Sequence, residues 1–413
     1  MKLTRTTLYQ FRNIRQLQQD NWGQYNVILG DNGQGKTNLL EALYLLSHTR
    51  SFRTPHERDL IQLHAEDGLR LSATVEREGL YRSPLYLEAR FSWQANSRHH
   101  TQSVFLLNQQ PVRTRSELLG KLSTVTFTVD ELSLLRDGPA QRRQWLNTAL
   151  CQHTPACIRS NQQLKQVFAQ KQALLKQAPY DATLQTLPLL EVYNQQLAPL
   201  MAQVVYERLQ YLALLEPYFQ AAYHPLCQGR EPLPWLQYFP IQLAQLPLSQ
   251  ISQTETQRFP PRLNEASNLS LEQLTHAYVV RLEQLAPNEL RRKQALLGPH
   301  RDDWCVWMNE HHEAHKFASQ GQQRSMALAL KLAELALLTE QLQEAPILLL
   351  DDVLAELDEK RQLALLQALP TQAQVFLTTP HLDALHQWEG LFPEAPLSCF
   401  RMHEGQLTPW LKP

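Results

Sequence analysis

The sequence contains little cysteine and no long apolar segment. Five of its 413 residues are cysteines, an odd number with no CxxC pair among them. This composition is unfavourable for a disulfide framework and for a cysteine-rich zinc site. No segment approaches the roughly 18 consecutive apolar residues of a membrane-spanning helix, and the amino end has no signal-peptide pattern. These absences predict a cytoplasmic protein with no membrane partner.

An excess of charge of either sign is also missing. Lys and Arg number 39 and Asp and Glu number 40, which gives a formal net charge of −1. A general positive field that would attract nucleic acid is therefore excluded, and affinity for a phosphate backbone must come from local basic patches. Hydrophobic residues make up 43% of the chain, enough for substantial cores.

A glycine-rich segment lies between a predicted strand and a predicted helix. Residues 25–29 (YNVIL) indicate a buried strand, and leucines at 39, 40, 43 and 46 recur at helical spacing. Strand, loop and helix in this order are the context that a phosphate-binding loop requires. The loop comprises Gly30, Asp31, Asn32, Gly33, Gln34, Gly35, Lys36 and Thr37.

The residue types in this loop fit the chemistry of a nucleoside triphosphate. Its glycines let backbone N–H groups approach phosphate oxygens, and the amino end of the helix adds partial positive charge. Lys36 is expected to pair with the β- and γ-phosphates, and the Thr37 hydroxyl to ligate Mg²⁺. A chance glycine-rich turn is the competing interpretation, but the flanking pattern weighs against it. We therefore predict ATP and Mg²⁺ as cofactors.

Two adjacent carboxylates follow a second apolar run. Residues 347–350 (ILLL) suit a strand covered on both faces, so Asp351 and Asp352 are expected at the edge of a parallel sheet where ligands bind. Asp351 is the better candidate for the Mg²⁺ shell, and Asp352 for the base that polarises the attacking water. Taken alone, this pattern is also a common way for a strand to end. Together with the phosphate loop it predicts a hydrolytic site.

Ser319 precedes a long amphipathic run at residues 324–338, and this position predicts a helix N-cap. With Gly321 beside it, the hydroxyl and the first free N–H groups would form an anion site. On capping chemistry alone, a well-capped helix is the simpler interpretation.

Several motifs together resemble the RecF family of SMC-like, ABC-type ATPases. Residues 319–324 (SQGQQR) resemble the ABC signature loop, and residues 355–358 (AELD) the D-loop. The likeness extends from residue 3 to about 380 and leaves only the middle weakly marked. Further matching segments are 8–14 (LYQFRNI), 48–53 (HTRSFR), 137–143 (DGPAQRR) and 298–303 (GPHRDD).

The resemblance implies an ATP site shared by two copies of the chain in an ATP-dependent homodimer. In such heads the phosphate loop, or Walker A motif, of one copy holds ATP, and Ser319 of the partner caps the γ-phosphate. By the same likeness Lys36, Ser319 and Asp352 are catalytic, and Arg50 or Arg53 supplies charge to the transferring phosphoryl group. The other implied nucleotide-binding residues are Arg12, Asn13, Gly321, Gln322 and, in the D-loop, Asp358.

The resemblance also implies a biological role. RecF-like proteins bind duplex and single-stranded DNA near gaps, hydrolyse ATP slowly, and act with RecO and RecR to load RecA, which connects them to the SOS response. DNA stimulation of a weak ATPase and the absence of a nuclease activity are expected. The candidate DNA contacts are Arg50, Arg53, Arg142, Arg143 and Lys165, and for each of them an ordinary solvated surface is the competing interpretation.

Three details qualify the likeness. The signature begins Ser-Gln-Gly rather than the Ser-Gly-Gly of transporters, which favours RecF-like proteins. His381 follows a predicted strand at residues 374–377, where some ABC ATPases keep a switch histidine, although an exposed loop histidine is the simpler interpretation. The residue that senses Mg²⁺ is expected within residues 127–132 (FTVDEL).

The predicted fold class is α/β, an ABC-type P-loop ATPase head with an inserted, mainly helical lobe. We place the head at residues 1–138 and 290–413, and the lobe at 139–289. Residues 69–75 and 85–91 alternate as antiparallel strands do. Helical segments at 162–176 and 200–215 are similar enough in length to pair antiparallel. Prolines around 232–261 argue against a long coiled coil.

Two other functions are compatible with a phosphate loop and a signature loop. An ATPase subunit of a transporter would need a transmembrane partner. A defence-type ATPase with a linked nuclease would need a further catalytic domain, for which few residues remain after Leu382. ATP binding that switches a scaffold, without a role for turnover, is a third possibility.

Overall fold

The computed structural model describes residues 1–63, 65–77, 83–94, 97–178, 183–227, 229, 231–240, 269–380 and 397–410. Two compact units are present. The first unit comprises Met1–Leu132 and Leu330–Pro413, and the second comprises Ser133–Ala329. Among the described helices, none has the length and apolarity that crossing a bilayer requires.

The secondary structure elements are numbered along the chain. The strands are β1 (Lys2–Phe11), β2 (Ile14–Asp20), β3 (Tyr25–Leu29), β4 (Leu69–Glu76), β5 (Leu85–Gln94), β6 (Ser97–Leu107), β7 (Gln110–Pro111), β8 (Thr124–Thr128), β9 (Trp235–Phe239), β10 (Asp303–Asn309), β11 (His312–Glu313), β12 (Ile347–Asp351), β13 (Val375–Thr379), β14 (Leu397–His403) and β15 (Gln406–Pro409). The helices are α1 (Lys36–His48), α2 (Pro139–His153), α3 (Cys157–Gln177), α4 (Thr183–Leu226), α5 (Leu271–Arg292), α6 (Ala314–Phe317), α7 (Gln320–Leu342) and α8 (Glu359–Ala368).

A largely parallel sheet organises the first unit, with strand order β15-β14-β3-β13-β12-β8. The predicted strands at 25–29 and 347–350 are confirmed as β3 and β12, and both are buried because their residues are apolar and strands lie on either side. In the register, Asp351 pairs with Thr378 and Thr379 pairs with Leu29. The carboxyl ends of these three strands therefore meet at one edge, where α/β sheets bind ligands.

A second, antiparallel sheet in the same unit has strand order β2-β1-β4-β5-β6-β7. The predicted antiparallel strands at 69–75 and 85–91 are confirmed as β4 and β5. Alternate residues such as Leu71, Val75 and Leu87 are buried, in one hydrophobic core with leucines of α1. Since α1 also contacts β12 and β13, this core fixes the start of α1 relative to the parallel sheet.

Long helices dominate the second unit. The helices predicted at 162–176 and 200–215 are confirmed, and they extend to α3 and α4. Ser160 donates to Glu207 (3.1 Å), and Lys171 donates to Asn194 (2.7 Å), so α3 and α4 run antiparallel. Helix α4 continues through Pro199 and Pro217, which sequence reasoning treats as helix breakers.

The second unit also contains a small sheet, β11-β10-β9, that the sequence did not predict. Strand β9 lies in the segment predicted to be helical, and β10 lies after residue 290, in the segment assigned to the head. Because β9 and β10 pair through five residues, from Asp303 with Phe239 to Trp307 with Trp235, residues 290–329 group with the middle of the chain. The compact units therefore divide the chain at 132 and 329 rather than at 138 and 289. Residues 241–261 of the proline-rich segment lie outside the described residues.

Candidate functional site

The phosphate loop connects β3 to α1 at the carboxyl edge of the parallel sheet. Gly35 has a φ of +112°, a backbone conformation that L side chains rarely adopt. A Cβ at Gly35 would lie 2.8 Å from Oδ1 of Asn13, and a Cβ at Gly30 would lie 2.4 Å from the carbonyl oxygen of Met402. A larger residue at Gly30 would therefore collide with backbone, whereas one at Gly35 would strain the loop backbone and displace the Asn13 side chain.

Lys36 is the first residue of α1, and its ammonium group lies inside the loop. Only 4% of its side chain is exposed. Its Nζ donates hydrogen bonds to the carbonyl oxygens of Gly30 (2.8 Å) and Asp31 (3.2 Å) and lies 3.8 Å from Oδ2 of Asp352. The positive charge is thus held where a phosphate group would enter the loop.

Thr37 and Asp351 lie in contact, as the predicted Mg²⁺ site requires. The Thr37 hydroxyl donates to Oδ1 of Asp351 at 2.9 Å. The hydroxyl of Thr378, on the neighbouring strand, donates to the same oxygen at 2.8 Å. A hydroxyl and a carboxylate at the base of a phosphate loop are oxygen donors that suit Mg²⁺. Thr37 and Asp351 are therefore the residues that would hold the metal ion.

The carboxyl group of Asp351 is partly buried at the end of β12. Burial raises its pKa, while the hydrogen bonds from Thr378 and Thr37 lower it, and the result is a pKa above the ordinary value for aspartate. Ionisation of Asp351 is therefore less favourable in the ligand-free protein than in water, and a bound divalent cation would offset this difference.

Replacing Asp351 with asparagine is expected to abolish Mg²⁺-dependent ATP binding without destabilising the ligand-free protein. Because the folded-state pKa of Asp351 is raised, the wild-type protein loses stability as the pH rises from the ordinary aspartate value through the raised one. The neutral amide does not undergo this loss. Thermal melts of ligand-free wild type and variant at several pH values test the first part, and titration with a fluorescent ATP analogue, with and without Mg²⁺, tests the second. A variant less stable than wild type at neutral pH would contradict this expectation.

Asp352 follows the strand and adopts a left-handed backbone conformation, with φ of +51°. Its N–H donates to the Thr378 hydroxyl at 3.0 Å, which fixes the turn. Its side chain is 28% exposed and faces the Lys36 ammonium group. Asp352 therefore lies partly exposed beside the phosphate loop, as the predicted base must, whereas the hydroxyl groups of Thr37 and Thr378 both donate to the carboxylate of Asp351.

Arg12 is held beside the loop by a buried carboxylate. Its guanidinium donates to both oxygens of Glu41, at 2.7 and 3.0 Å, and Glu41 is fully buried. The Ser51 hydroxyl donates to the same carboxylate at 2.5 Å, and a nitrogen of Arg53 lies 3.5 Å from it. Glu41 on α1 thus gathers residues from two of the segments that resemble RecF.

Asn13 contacts the loop directly. Its Nδ2 donates to the carbonyl oxygen of Gly33 at 3.2 Å, and its Oδ1 accepts from Asn38 at 2.8 Å. Asn38 in turn accepts from Arg53 at 2.8 Å. An open cavity of about 510 Å³ is lined by Arg12, Asn13, Asn38 and Arg53 among others. The structure therefore places Arg12 and Asn13 next to the phosphate loop.

Ser319 lies in the second unit and caps the amino end of α7. The Gln322 N–H donates to Oγ of Ser319 at 3.3 Å, and the Ser319 N–H donates to Oε1 of Gln322 at 2.8 Å. This reciprocal pair is a capping box. The predicted N-cap is therefore present, and the side chain of Gln322 takes part in it.

Comparison with known proteins identifies the family. The sequence profile described as "RecF/RecN/SMC N terminal domain" matches residues 2–393. The protein "DNA replication and repair protein RecF" of Synechococcus sp. (strain JA-3-3Ab) is 36% identical over 405 residues, which cover 97% of this chain and 96% of that protein. The chain belongs to the RecF family. The protein of the same name from Heliobacterium modesticaldum (strain ATCC 51547 / Ice1) is 34% identical and is covered to 99%, as is this chain.

Solved RecF structures have the same fold as this RecF-family chain. The "Structure of the recombination mediator protein RecF-ATP in RecFOR pathway" has a TM-score of 0.80 at 26% identity, covering 99% of this chain and 97% of that one. The RecF-ATPrS structure from the same pathway also has a TM-score of 0.80, at 25% identity, covering 99% of this chain and 98% of that one. The predicted ABC-type, SMC-like ATPase fold is confirmed, and the transporter and defence-type alternatives are not supported.

Two of the predicted nucleotide-site residues make hydrogen bonds within the chain. Asp358 caps α8: its carboxylate accepts from the N–H of Arg361 at 2.9 Å and contacts the guanidinium of the same residue. The carbonyl oxygen of Gly321 accepts from the Ser325 hydroxyl at 3.0 Å within α7. Contacts of Asp358, Gly321 and Ser319 with a nucleotide stay predictions.

Arg142 was wrongly predicted to contact DNA. It is 5% exposed, and its guanidinium forms a two-pronged pair with the carboxylate of Asp303 at 2.6 and 3.0 Å. Its charge is therefore used inside the second unit. Arg143 instead donates to a carbonyl oxygen, that of Asp302, at 2.7 Å, and Lys165 is exposed on α3. These two residues stay candidates.

The remaining basic candidates lie in the first unit. Arg50 is exposed, and Arg53 is 44% exposed beside the phosphate loop through its contacts with Glu41 and Asn38. Arg53 therefore lies beside the phosphate loop, and its contacts with nucleotide and with DNA stay predictions. The role of Arg50 stays a prediction.

Sequence reasoning missed Thr378 and Glu41. Thr378 is the penultimate residue of the buried strand β13, next to β12, and this position was the available signal. Glu41, in an apolar stretch of α1, gave none. Within the predicted Mg²⁺-sensing segment, Glu131 accepts from the Thr128 N–H and from Lys331, both at 3.1 Å, and burial raises its pKa. His381 lies outside the described residues.

Proposed function

We propose that this RecF-family chain is an ATP-dependent DNA-binding protein of recombinational repair and replication. The observation that supports the proposal is the convergence of four residues at one edge of the parallel sheet: Thr37 contacts Asp351 at 2.9 Å, and Lys36 lies 3.8 Å from Asp352. This set contains each part that phosphoryl transfer from ATP to water requires from the protein: a phosphate cradle, a metal ligand pair and a base.

Each of these residues would have a distinct task during hydrolysis. The loop amides and Lys36 bind and orient the β- and γ-phosphates. Asp352, accessible beside Lys36, orients the attacking water and accepts its proton. The Thr378 hydroxyl positions both residues, because it donates to the Asp351 carboxylate and accepts from the Asp352 backbone N–H. Bound Mg²⁺ would neutralise charge on the phosphate oxygens.

ATP binding would join two copies of the chain, with Ser319 of one copy at the γ-phosphate of the other. Slow hydrolysis then serves as a timer for release from DNA. The relatives are named for DNA replication and repair, and the solved structures for recombination mediation in the RecFOR pathway. On that basis the homodimer acts on duplex and single-stranded DNA near gaps, with RecO and RecR as partners in loading RecA.

The split site predicts that dimerisation fails when either half is altered. Lys36→Ala removes the charge that holds the phosphates, and Ser319→Arg places a bulky cation at the cap that would face them. Both variants are expected to stay monomeric with ATP and Mg²⁺ under conditions in which wild type dimerises. Sedimentation velocity with and without ATP measures this directly.

Two exposed positions supply matched controls. Lys2→Ala and Ser92→Arg repeat the same substitutions outside the proposed site, and both variants should dimerise like wild type. Mixing Lys36→Ala with Ser319→Arg should give at most one complete site per pair. ATP-dependent dimers of both single variants would overturn the shared-site proposal.

A further inference from the structure

One face of α3 in the second unit gathers basic side chains from separate segments. Phe168 on this helix packs against the ring of His300, with centroids 4.6 Å apart. Lys165 lies three residues before Phe168 and is exposed, and this spacing places both on the same face of a helix. Lys165 and His300 are therefore neighbours on one surface.

The same face continues one turn further along α3. Gln172 lies four residues after Phe168; it donates to the carbonyl oxygen of Lys293 at 3.2 Å and accepts from the Ala295 N–H at 3.0 Å. The guanidinium of Arg301 donates to the carbonyl oxygen of Ala295 at 3.2 Å. Lys293 and Arg301 are thereby brought to the face that carries Lys165.

Arg143 lies on the same surface. Its guanidinium donates to the carbonyl oxygen of Asp302, the residue that directly follows Arg301. We name this surface the α3 basic band. Its members are Arg143, Lys165, Lys293, His300 and Arg301.

Acidic residues near the band are engaged elsewhere. Asp303 pairs with the buried Arg142, Glu289 pairs with the buried Lys171, and Asp302 accepts from the Tyr238 hydroxyl at 2.9 Å. Within the described part of the chain, no ion pair involves a cation of the α3 basic band, whose two arginines donate to carbonyl oxygens instead. The band therefore keeps a net positive charge in a protein whose total charge is close to zero.

The pKa of His300 is lowered in part by the positive charges of the same surface. Partial burial and the positive charges of Arg301, Arg143 and Arg208 lower the pKa of His300 to about 4. At neutral pH the imidazole is uncharged, and it offers a hydrogen-bonding edge among cations. An anion bound at the band would offset those charges and raise the His300 pKa.

We propose that the α3 basic band contacts the phosphate backbone of DNA, an inference that rests on the proposed DNA-binding function. Lysine and arginine side chains that lack carboxylate partners are the groups that release counterions on binding DNA. From Lys165 to Gln172 the helix rises about 10 Å, which is roughly three nucleotides of one strand at about 3.4 Å each. A run of that length suits continuous backbone contact better than one phosphate group.

The test is the salt dependence of DNA binding in the presence of ATP. A triple variant, Arg143→Gln with Lys165→Gln and Arg301→Gln, removes three charges from the band and is expected to bind gapped duplex at least about tenfold more weakly. The slope of log K against log salt should fall by about three, close to one for each phosphate group that the variant no longer neutralises. Fluorescence anisotropy at several salt concentrations gives both quantities.

Two single substitutions on α3 distinguish loss of a charge on the band's face from loss of a charge elsewhere on the same helix. Arg159 is exposed on α3 but points about 120° away from Lys165. Lys165→Gln should reduce the salt slope by about one, whereas Arg159→Gln should leave it unchanged. In wild type, the His300 imidazole followed by NMR should titrate at a higher pH once DNA is added.

Three results would be decisive in different ways. If wild type fails to bind DNA with ATP, the proposed function itself falls. If wild type binds and the triple variant keeps both affinity and slope while remaining folded by circular dichroism, only the band is overturned. If DNA binding is unchanged but the triple variant loses binding to polyglutamate, the band is a site for acidic protein segments, and the DNA inference is wrong.

Discussion

Replacing Asp352 with asparagine is expected to lower steady-state ATP hydrolysis by about a hundredfold or more, since general bases contribute factors of roughly 10² to 10⁴. Asparagine has nearly the same shape and tolerates the left-handed backbone conformation found at this position. The N–H that donates to Thr378 is retained. The substitution therefore removes proton acceptance and leaves the turn intact.

Binding and chemistry should separate in this variant. Lys36 loses a carboxylate 3.8 Å away but keeps its bonds to the loop carbonyls, so ATP affinity should stay equal or increase. Phosphate release in steady state and equilibrium binding of a fluorescent ATP analogue measure the two quantities. Asp20→Asn, at an exposed carboxylate on β2, is the control and should match wild type. Turnover within about threefold of wild type would exclude Asp352 as the base.

The same variant tests the proposed timer. If hydrolysis releases the protein from DNA, Asp352→Asn should remain bound with ATP far longer than wild type after a challenge with excess competitor DNA. Equal dissociation of the two proteins would show that hydrolysis is not the release step. ATP binding alone would then act as the switch.

The parts of the site that are close in sequence were predictable from the sequence. The strand, loop and helix around Lys36 are specified by local patterns: an apolar run, closely spaced glycines and leucines at helical spacing. Ser319 was predicted as an N-cap, and the capping box is present because both partners lie within one helical turn.

Contacts between distant segments were not predictable in this way. Arg142 and Arg143 are adjacent and identical in chemistry, yet Arg142 is buried against Asp303 while Arg143 donates to a carbonyl oxygen. The partner lies about 160 residues away, and no local pattern indicates which arginine faces inward. Thr378 was missed for the same reason, because its role depends on the register of β12 with β13.

The division into units illustrates the limit at a larger scale. The change of composition near residue 139 suggested where the helical lobe begins, and the first described boundary lies only a few residues earlier. The chain re-enters the first unit only at residue 330, because β10 pairs with β9, more than 60 residues earlier in the chain. A change in local composition does not reveal such a pairing.

A buried ion pair in the second unit gives the largest expected effect on stability. Lys171 and Glu289 are both fully buried, with Nζ 2.7 Å from a carboxylate oxygen, and Lys171 also donates to Asn194 at 2.7 Å. Lys171 thereby connects α3 to α5 through Glu289 and to α4 through Asn194. Glu289→Gln leaves a buried ammonium group without its counterion and should lower the local free energy of opening by about 3 to 5 kcal/mol.

The size of this loss should depend on pH in a defined direction. Burial lowers the pKa of Lys171, while the nearby Glu289 carboxylate raises it. Without that carboxylate the folded-state pKa falls further below the unfolded value, so the unfolded state binds more protons and stability rises with pH. The variant should therefore be less impaired at about pH 9 than at about pH 6, because lysine is then more easily neutral when folded.

Hydrogen exchange of amides in α3, α4 and α5 measures the local opening free energy without assuming that the whole chain unfolds in one step. The exposed Lys176 on α3 gives a control, since Lys176→Met should leave these rates unchanged. Adding Lys171→Met to Glu289→Gln removes the uncompensated charge and keeps an acceptor for the Leu296 N–H, which Glu289 binds at 2.8 Å. The double variant should recover most of the loss and lose its pH dependence. If it is as unstable as Glu289→Gln alone, the cost arises from lost packing and hydrogen bonds rather than from a buried charge.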